Sequence, residues 1–235
     1  HLYGNLFAAY DDEHFRHSMA LFVERFRING FDLRWFKGKT CLDAGCGGGR
    51  CAIALSLCGA SRVVGIDISR AAVSDAACRA KKMGARTVQF RVASVEKIPF
   101  PASSFDFVVC NGVLHHTVHP ERVLAEVSRV LKPGGFCYLL VYNLGGVRWP
   151  LVQMLRPAAQ MLGFSALDAC ATRARLPVNK RRTYLDDLFV PIIDFYSWER
   201  LRDMLARHGF RSIRRWASGR LDHEESVTAY AADMK

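Results

Sequence analysis

Asp43-Ala44-Gly45-Cys46-Gly47-Gly48-Gly49 is the stretch of this 235-residue sequence that decides its fold. It follows the apolar run Thr40-Cys41-Leu42 and leads into the helix-compatible residues 50–58, so the chain passes from strand through turn to helix. Glycine lacks a Cβ atom, which permits positive φ angles and lets a ligand approach the main chain closely. The following helix offers backbone N–H groups at its N-terminus. The stretch therefore predicts a cofactor-binding turn.

A second predicted strand, residues 62–67, ends in an acid. Asp67 lies about 20 residues beyond the turn, which is the spacing of a ribose-binding carboxylate. The glycine spacing then separates two classes of cofactor. The dinucleotide fingerprint G-x-G-x-x-G requires its third glycine where this chain has Arg50, whereas the third glycine comes one residue earlier, at Gly49. The pattern therefore disfavours a nicotinamide dinucleotide.

The pattern D-x-G-x-G-x-G, closed by an acid at the end of the next strand, resembles motifs I and II of the class I S-adenosylmethionine (SAM) methyltransferases. The resemblance continues in residues 105–116, Phe-Asp-Phe-Val-Val-Cys-Asn-Gly-Val-Leu-His-His, and in residues 129–135, Arg-Val-Leu-Lys-Pro-Gly-Gly. Both look like signatures of the small-molecule, type 11 branch of that family. The resemblance implies SAM as cofactor, S-adenosylhomocysteine (SAH) as product and a Rossmann-like fold.

Alternating strand and helix patterns predict an α/β fold with a doubly wound sheet. The predicted strands are 40–44, 62–67, 88–93, 105–111, 135–143, 211–217 and 226–232. The last two complete the seven-stranded sheet that the resemblance implies, with the last strand antiparallel. We expect a single methyltransferase domain over residues 1–235, made of an N-terminal helical cap (1–36), a SAM-binding core (37–143), a helical lid insertion after the fifth strand (144–196), and a core helix with the last two strands (197–235).

The connection between Asn143 and Tyr196 is too long for a plain loop. Helical periodicity around residues 151–162 and 184–190 indicates helices within it, so we interpret it as a lid over the carboxyl edge of the sheet. The apolar side chains of residues 147–164 are compatible with contact to a bilayer interface. We expect instead that they pack against the other helices of the lid.

The resemblance also implies which residues contact the cofactor. Asp67 would accept both ribose hydroxyls, although it also suits capping the helix that starts near Ser69. Ile68 would pack on the adenine, and Asn111 and Gly112 would lie beside the sulfonium. The backbone of Gly45, Cys46 and Gly47 would border the methionine portion, and Asp43 belongs to the same motif. Ser94 and Val95 follow the third strand, at a place where relatives often carry an acid. Tyr10 belongs to an N-terminal segment that resembles one that folds over SAM in relatives, and its alternative role is that of a hydrophobic staple.

His115 and His116 are the candidate catalytic residues. Imidazole titrates near neutral pH, so either side chain is suited to removing a proton from an acceptor. Paired histidines at this place in the family pattern also serve to shape the pocket or to bond backbone atoms, and that alternative stays open here. No metal site is predicted.

These residues predict SAM-dependent methyl transfer to an N, O, S or C atom of a small-molecule acceptor, by in-line displacement in which the protein supplies proximity and a histidine general base. One alternative is a lipid-like or quinone-like acceptor, and another is RNA. Base methylation is disfavoured because Cys110-Asn111-Gly112-Val113 lacks the prolines of the [DN]-P-P-[YF] sequence. A non-catalytic SAM-binding protein is the further alternative.

The net charge of +11 bears on partners. Its excess is concentrated late, in Arg173, Arg175, Lys180, Arg181, Arg182, Arg207, Arg211, Arg214, Arg215 and Arg220. Such segments would give weak, nonspecific contact with nucleic acid or an anionic membrane, would attract an anionic small molecule, or are simply solvated helix faces. We expect solubility or an anionic small molecule to account for the charge rather than nucleic acid.

Composition predicts a soluble, cytoplasmic protein. No apolar run reaches the length that spans a bilayer, and no signal-peptide pattern opens the chain. The eight cysteines are scattered without a C-x-x-C pair, which is typical of reduced cysteines in a protein core. Because the chain begins at His1 rather than methionine, the presence of an upstream element stays open.

Overall fold

The structure is a computed structural model that describes residues 12–145, 147–217 and 224–231. Its strands are β1 (Thr40–Ala44), β2 (Arg62–Asp67), β3 (Val88–Val92), β4 (Phe105–Asn111), β5 (Leu131–Tyr142), β6 (Phe210–Trp216) and β7 (Glu224–Ala231). Its helices are α1 (Asp12–Ile28), α2 (Arg50–Leu57), α3 (Arg70–Lys82), α4 (Pro120–Val130), α5 (Arg148–Leu162), α6 (Phe164–Arg173), α7 (Val178–Phe189) and α8 (Trp198–Arg207). Short 3-10 turns occupy Leu33–Phe36 and Leu114–His116.

The strands form one sheet in the order β3-β2-β1-β4-β5-β7-β6. Strands β1 to β5 pair in parallel, whereas β7 is antiparallel to both of its neighbours, β5 and β6. The predicted Rossmann-like α/β fold is confirmed. The strand order reverses between β1 and β4, which is where open α/β sheets bind ligands beyond the carboxyl ends of their strands.

Helices cover both faces of the sheet because the central strands are apolar on both sides. On one face α4 and α8 bury leucine, valine and methionine side chains against β4 and β5. On the other face α1 and α2 pack on β1, β4 and β5 through an aromatic cluster. Phe26 of α1 lies at its centre, with ring centroids 5.2 Å from Tyr138 and 6.0 Å from Phe107. This packing holds the carboxyl ends of β1 and β4 in place.

Helix α1 begins at Asp12, and Asp12 and Glu13 occupy its first turn, where acids are favourable to the helix dipole. The structure therefore agrees with the helix predicted at this point. Tyr10 lies outside the described residues.

The insertion, residues 144–196, contains α5, α6 and α7. Arg156 of α5 is buried and donates hydrogen bonds of 2.6 Å to the carbonyl oxygens of Asp187 and Val190, at the C-terminal end of α7. Terminal carbonyls of a helix need such donors, so Arg156 fixes the end of α7 against α5. The described helices include none that is both long and apolar enough to cross a membrane.

The expectation that the apolar side chains of residues 147–164 pack within the insertion is correct only in part. Trp149 is buried, and Phe164 contacts Phe189 of α7 with ring centroids 5.4 Å apart. Met154 and Met161, by contrast, are 69% and 89% exposed. The helix therefore presents an apolar surface outward.

Candidate active site

A cavity of about 430 Å³ lies at the carboxyl edge of the sheet, beside the reversal of strand order. Its walls include the glycine turn, the ends of β2, β4 and β5, the 3-10 turn Leu114–His116, helix α1 and the insertion. Among the lining residues are Phe15, Ser18, Gly45, Cys46, Gly47, Asp67, Ile68, Val95, Asn111, Gly112, His115, His116, Tyr142 and Asp186. Most of the predicted site residues therefore meet at one place.

The glycine turn is held by backbone bonds to β2. The N–H groups of Gly45 and Cys46 both donate to the Ile66 carbonyl, at 2.8 and 2.9 Å. Gly45 has a φ of +83°, and a Cβ atom there would lie 2.4 Å from Val113 Cγ2. Only glycine fits this position, because both the backbone angle and the contact with the end of β4 exclude a side chain.

Asp67 connects the turn to the second strand. Its Oδ2 accepts a hydrogen bond of 2.9 Å from the Gly47 N–H, and its Oδ1 accepts one of the same length from the Ser69 N–H. Each carboxylate oxygen has two lone pairs, so these bonds leave Asp67 able to accept further donors from a ligand. Ile68 beside it is 71% exposed and also lines the cavity.

Two predicted cofactor residues lie away from the cavity lining. Asp43 is buried beneath the turn, where its carboxylate accepts a hydrogen bond of 2.9 Å from the Ala52 N–H, and burial raises its pKa to about 7. Ser94 is exposed, and its hydroxyl accepts a local bond from the Glu96 N–H. Asp43 therefore braces the turn, and Ser94 stabilises the loop after β3.

Some polar atoms of the cavity lining lack hydrogen-bond partners among the described residues. Asn111 Oδ1 and His115 Nε2 are buried and have no hydrogen-bond partner among the described residues. Buried polar atoms are ordinarily paired, and both of these residues line the cavity. They therefore mark places where a bound molecule would supply the missing partner.

The two histidines differ in chemistry. His115 Nδ1 accepts a bond of 3.3 Å from the Tyr142 N–H, so its proton is on Nε2 and the ring presents a donor. His116 Nδ1 lies 2.8 Å from the Ile192 carbonyl, which can only accept, so its Nε2 carries the lone pair. Burial lowers the pKa of His116 to about 4 and that of His115 well below its ordinary value. Both rings are therefore neutral at pH 7.

Asp186 is the site residue that sequence reasoning missed. It is located on α7 and lines the cavity, and its buried Oδ1 has no hydrogen-bond partner among the described residues. Burial, followed by repulsion from Asp187, raises the pKa of Asp186 to about 7. A carboxyl group with such a pKa is suited to exchanging protons near neutral pH. The feature of the sequence that could have indicated this residue is the pair of adjacent acids, Asp186-Asp187, in a mostly basic insertion.

A second, more open groove of about 730 Å³ runs along β3 and α3, with Arg62, Lys81 and Arg91 among its lining residues. None of the described residues that line it is a predicted site residue. We therefore assign the functional site to the smaller cavity.

Comparison with known proteins agrees with this assignment. The family described as "Methyltransferase domain" matches residues 42–139, which contain the glycine turn, Asp67 and the end of β4. The chain carries a class I SAM-dependent methyltransferase domain. The cofactor of this family is SAM, which is converted to SAH.

Sequence relatives of the methyltransferase domain include a ubiquinone biosynthesis O-methyltransferase of Paracidovorax citrulli. It is 35% identical over 123 residues, which are 49% of this chain and 51% of that protein. The chain spans about half the length of the curated relatives it matches. The sequence similarity to these relatives therefore covers about half of this chain.

Solved structures share the fold of the methyltransferase domain at low sequence identity. The YcgJ protein of Bacillus subtilis has a TM-score of 0.63 and 17% identity, covering 93% of this chain and 100% of that one. Magnesium protoporphyrin IX methyltransferase of Synechocystis, solved with bound SAH, has a TM-score of 0.59 and 18% identity, covering 92% and 83%.

Proposed function

We propose that this protein transfers the methyl group of SAM to a small-molecule acceptor bound in the cavity of about 430 Å³. One observation carries the proposal: the same cavity is lined by the glycine turn and Asp67, which we call its cofactor end, and by His115, His116 and Asp186, which we call its acceptor end. A group transfer requires that one cavity hold both the cofactor and the acceptor.

The cofactor end fits SAM. Asp67 would hold the ribose hydroxyls, Ile68 would cover the adenine, and the backbone of Gly45, Cys46 and Gly47 would border the methionine portion. Val95 and Gly112 complete this wall, and the unpartnered Asn111 Oδ1 would accept a hydrogen bond from the cofactor or the acceptor. When bound, SAM supplies a methyl group that its sulfonium makes electrophilic.

The charges of the acceptor end favour a neutral or cationic acceptor. Within the part of the lining that the structure describes, one basic side chain has a fixed charge: Arg50, the first residue of α2. The acceptor end holds neutral histidines and the carboxyl group of Asp186. An anionic acceptor would face this carboxylate without a compensating cation, so the expectation of an anionic small molecule loses its support.

Proton removal falls to Asp186 in this proposal rather than to a histidine. His115 has its lone pair engaged by the Tyr142 N–H and therefore donates, which suits holding an acceptor oxygen. His116 carries a lone pair on Nε2, but burial lowers its pKa to about 4, which makes it a weak base. Asp186 titrates near the working pH and would take the proton that an O–H or N–H acceptor loses.

The insertion closes this end of the cavity in our proposal, because Asp186 and Pro191 contribute to the lining. A lipid-like or quinone-like acceptor is the alternative that the neutral lining and the outward apolar face of α5 also suit.

RNA has less support as the methyl acceptor. Of the basic residues, Arg207 and Arg181 are in ion pairs with Glu121 and Asp168, at 2.8 and 3.1 Å. Arg220 lies outside the described residues.

Incubation with SAM carrying a labelled methyl group tests the proposal. We expect SAH to form when deproteinised small-molecule extract is added, with the label recovered in a compound of low molecular mass. Label recovered in RNA would contradict the choice of acceptor. SAH binding without turnover in any extract would favour the non-catalytic SAM-binding alternative.

A further inference from the structure

Helix α5 has its amphipathic pattern turned outward. Apolar residues recur at the spacing i, i+3, i+4, i+7, i+10 and i+11, which places them on one side of an α-helix. These residues, here called the α5 face, are Leu151, Met154, Leu155, Ala158, Met161 and Leu162. All six are exposed, whereas the opposite side of the helix is buried through Trp149, Arg156 and Ala159. An apolar stripe of this length normally faces a protein core.

The α5 face contains no polar or charged side chain. Gln153 and Gln160, which are also exposed, lie well away from it around the helix circumference. Single exposed apolar residues are ordinary on a protein surface, but a contiguous set along three turns of helix marks an interaction surface. At 15 residues α5 is too short to span a bilayer, so a membrane contact would place the helix along the surface.

The charges of the insertion select the partner. Arg173, Arg175 and Lys180 are exposed. The acidic side chains of α6 and α7 have other roles. Asp168 pairs with Arg181, Asp187 pairs with Arg148, and Asp186 lines the cavity. Exposed cations in the same insertion as an apolar helix face complement anionic lipid headgroups, and each adds to the attraction. A second copy of a chain with a net charge of +11 would instead be repelled.

We propose that the α5 face docks this protein on the surface of an anionic phospholipid bilayer. The apolar side chains enter the boundary between headgroups and acyl chains, and the exposed basic residues Arg173, Arg175 and Lys180 contact the headgroups. Because the insertion also supplies Asp186 and Pro191 to the cavity, docking would bring the acceptor end close to the membrane. The proposal concerns binding and does not depend on the methyl transfer.

Flotation of the full chain with vesicles tests the docking. One set of vesicles contains phosphatidylcholine and phosphatidylglycerol in equal parts, and the other contains phosphatidylcholine alone. We expect wild-type protein to float with the mixed vesicles and much less with the neutral ones. Leu151→Glu/Met154→Glu should weaken binding to the mixed vesicles about tenfold or more, because two apolar anchors are replaced by charges.

Gln153→Glu/Gln160→Glu is the matched control, since it adds the same two charges to the same helix outside the α5 face. We expect it to retain most of the binding. Equal losses in both double variants would mean attraction by charge alone and would overturn the proposal. Wild-type protein that fails to float, or that forms a dimer which Leu151→Glu/Met154→Glu dissociates, would overturn it as well, the second result assigning the face to another copy of the chain.

Discussion

Asp186→Asn is expected to lower kcat by about 10²- to 10⁴-fold while leaving SAH affinity nearly unchanged. The variant keeps the size of the side chain but cannot accept a proton at neutral pH. Its carboxyl oxygen Oδ1 is buried at the acceptor end of the cavity without a partner among the described residues, so the loss falls on the proton transfer. Turnover is measured with the acceptor recovered from the small-molecule extract.

The pH profile identifies the base. A carboxylate accepts a proton only when ionised, so wild-type activity should fall as the pH drops through about 7, the raised pKa of Asp186. If His116 were the base, its lowered pKa would place that fall near pH 4. We expect Asp186→Asn to remove the step near pH 7. Wild-type kcat in Asp186→Asn, together with loss of activity in His116→Asn, would transfer the role to His116.

Asp168→Asn is the control for this experiment. Asp168 belongs to α6 of the same insertion and pairs with Arg181 at 3.1 Å, but it does not line the cavity. The substitution removes one negative charge from the insertion without touching the acceptor end. We therefore expect wild-type kcat and an unchanged pH profile, which separates a local role of Asp186 from the general electrostatics of the insertion.

Gly45→Ala is expected to weaken SAH binding by about 30-fold or more. The positive φ would strain an alanine by roughly 1 to 3 kcal/mol, and overpacking adds a similar amount. The new Cβ would meet Val113 at Cγ2, Cγ1 and Cβ, at 2.4, 2.8 and 3.1 Å, so no rotation of the valine removes the contact. The turn or the end of β4 must move, and both line the cavity. Calorimetric titration measures the loss.

A double variant and a control separate the two causes. Gly45→Ala/Val113→Ala should recover part of the affinity, because it removes the atoms that the new Cβ meets, and the cycle of single and double variants isolates this coupling. Gly84→Ala places a Cβ at a φ of +69° with nothing within 4 Å, so it imposes backbone strain alone. Full affinity in Gly45→Ala would show that the turn does not shape the cofactor site.

The sequence predicted the parts of this site that are local in the chain. The glycine turn and Asp67 are recognisable because their chemistry depends on residues within one strand-turn-helix-strand unit, in which Asp67 accepts hydrogen bonds from the N–H groups of Gly47 and Ser69. The bounds of β1, β2 and β4 were predicted correctly for the same reason, since buried parallel strands are continuous apolar runs. Asn111, His115 and His116 followed from a motif at the end of β4.

Features that depend on contacts distant in the chain could not be predicted. Asp186 reaches the cavity because Arg156 fixes the end of α7, and no local pattern reports that contact. The outward face of α5 was missed because periodicity gives the apolar side of a helix but not the direction in which it points. The histidine tautomers likewise depend on the carbonyl of Ile192 and the N–H of Tyr142, which are supplied by other segments.

Calorimetric titration of the wild-type protein and Asp67→Ala with SAH, and of the wild-type protein with NAD, measures whether this cavity is a SAM site. We expect SAH to bind the wild-type chain and NAD not to bind, because Arg50 stands where a dinucleotide motif has glycine. We expect Asp67→Ala to bind SAH more weakly by roughly 1.5 to 3 kcal/mol, the range for hydrogen bonds to a charged group. NAD binding, or equal SAH affinity in the wild type and Asp67→Ala, would contradict the assignment of this cavity to SAM.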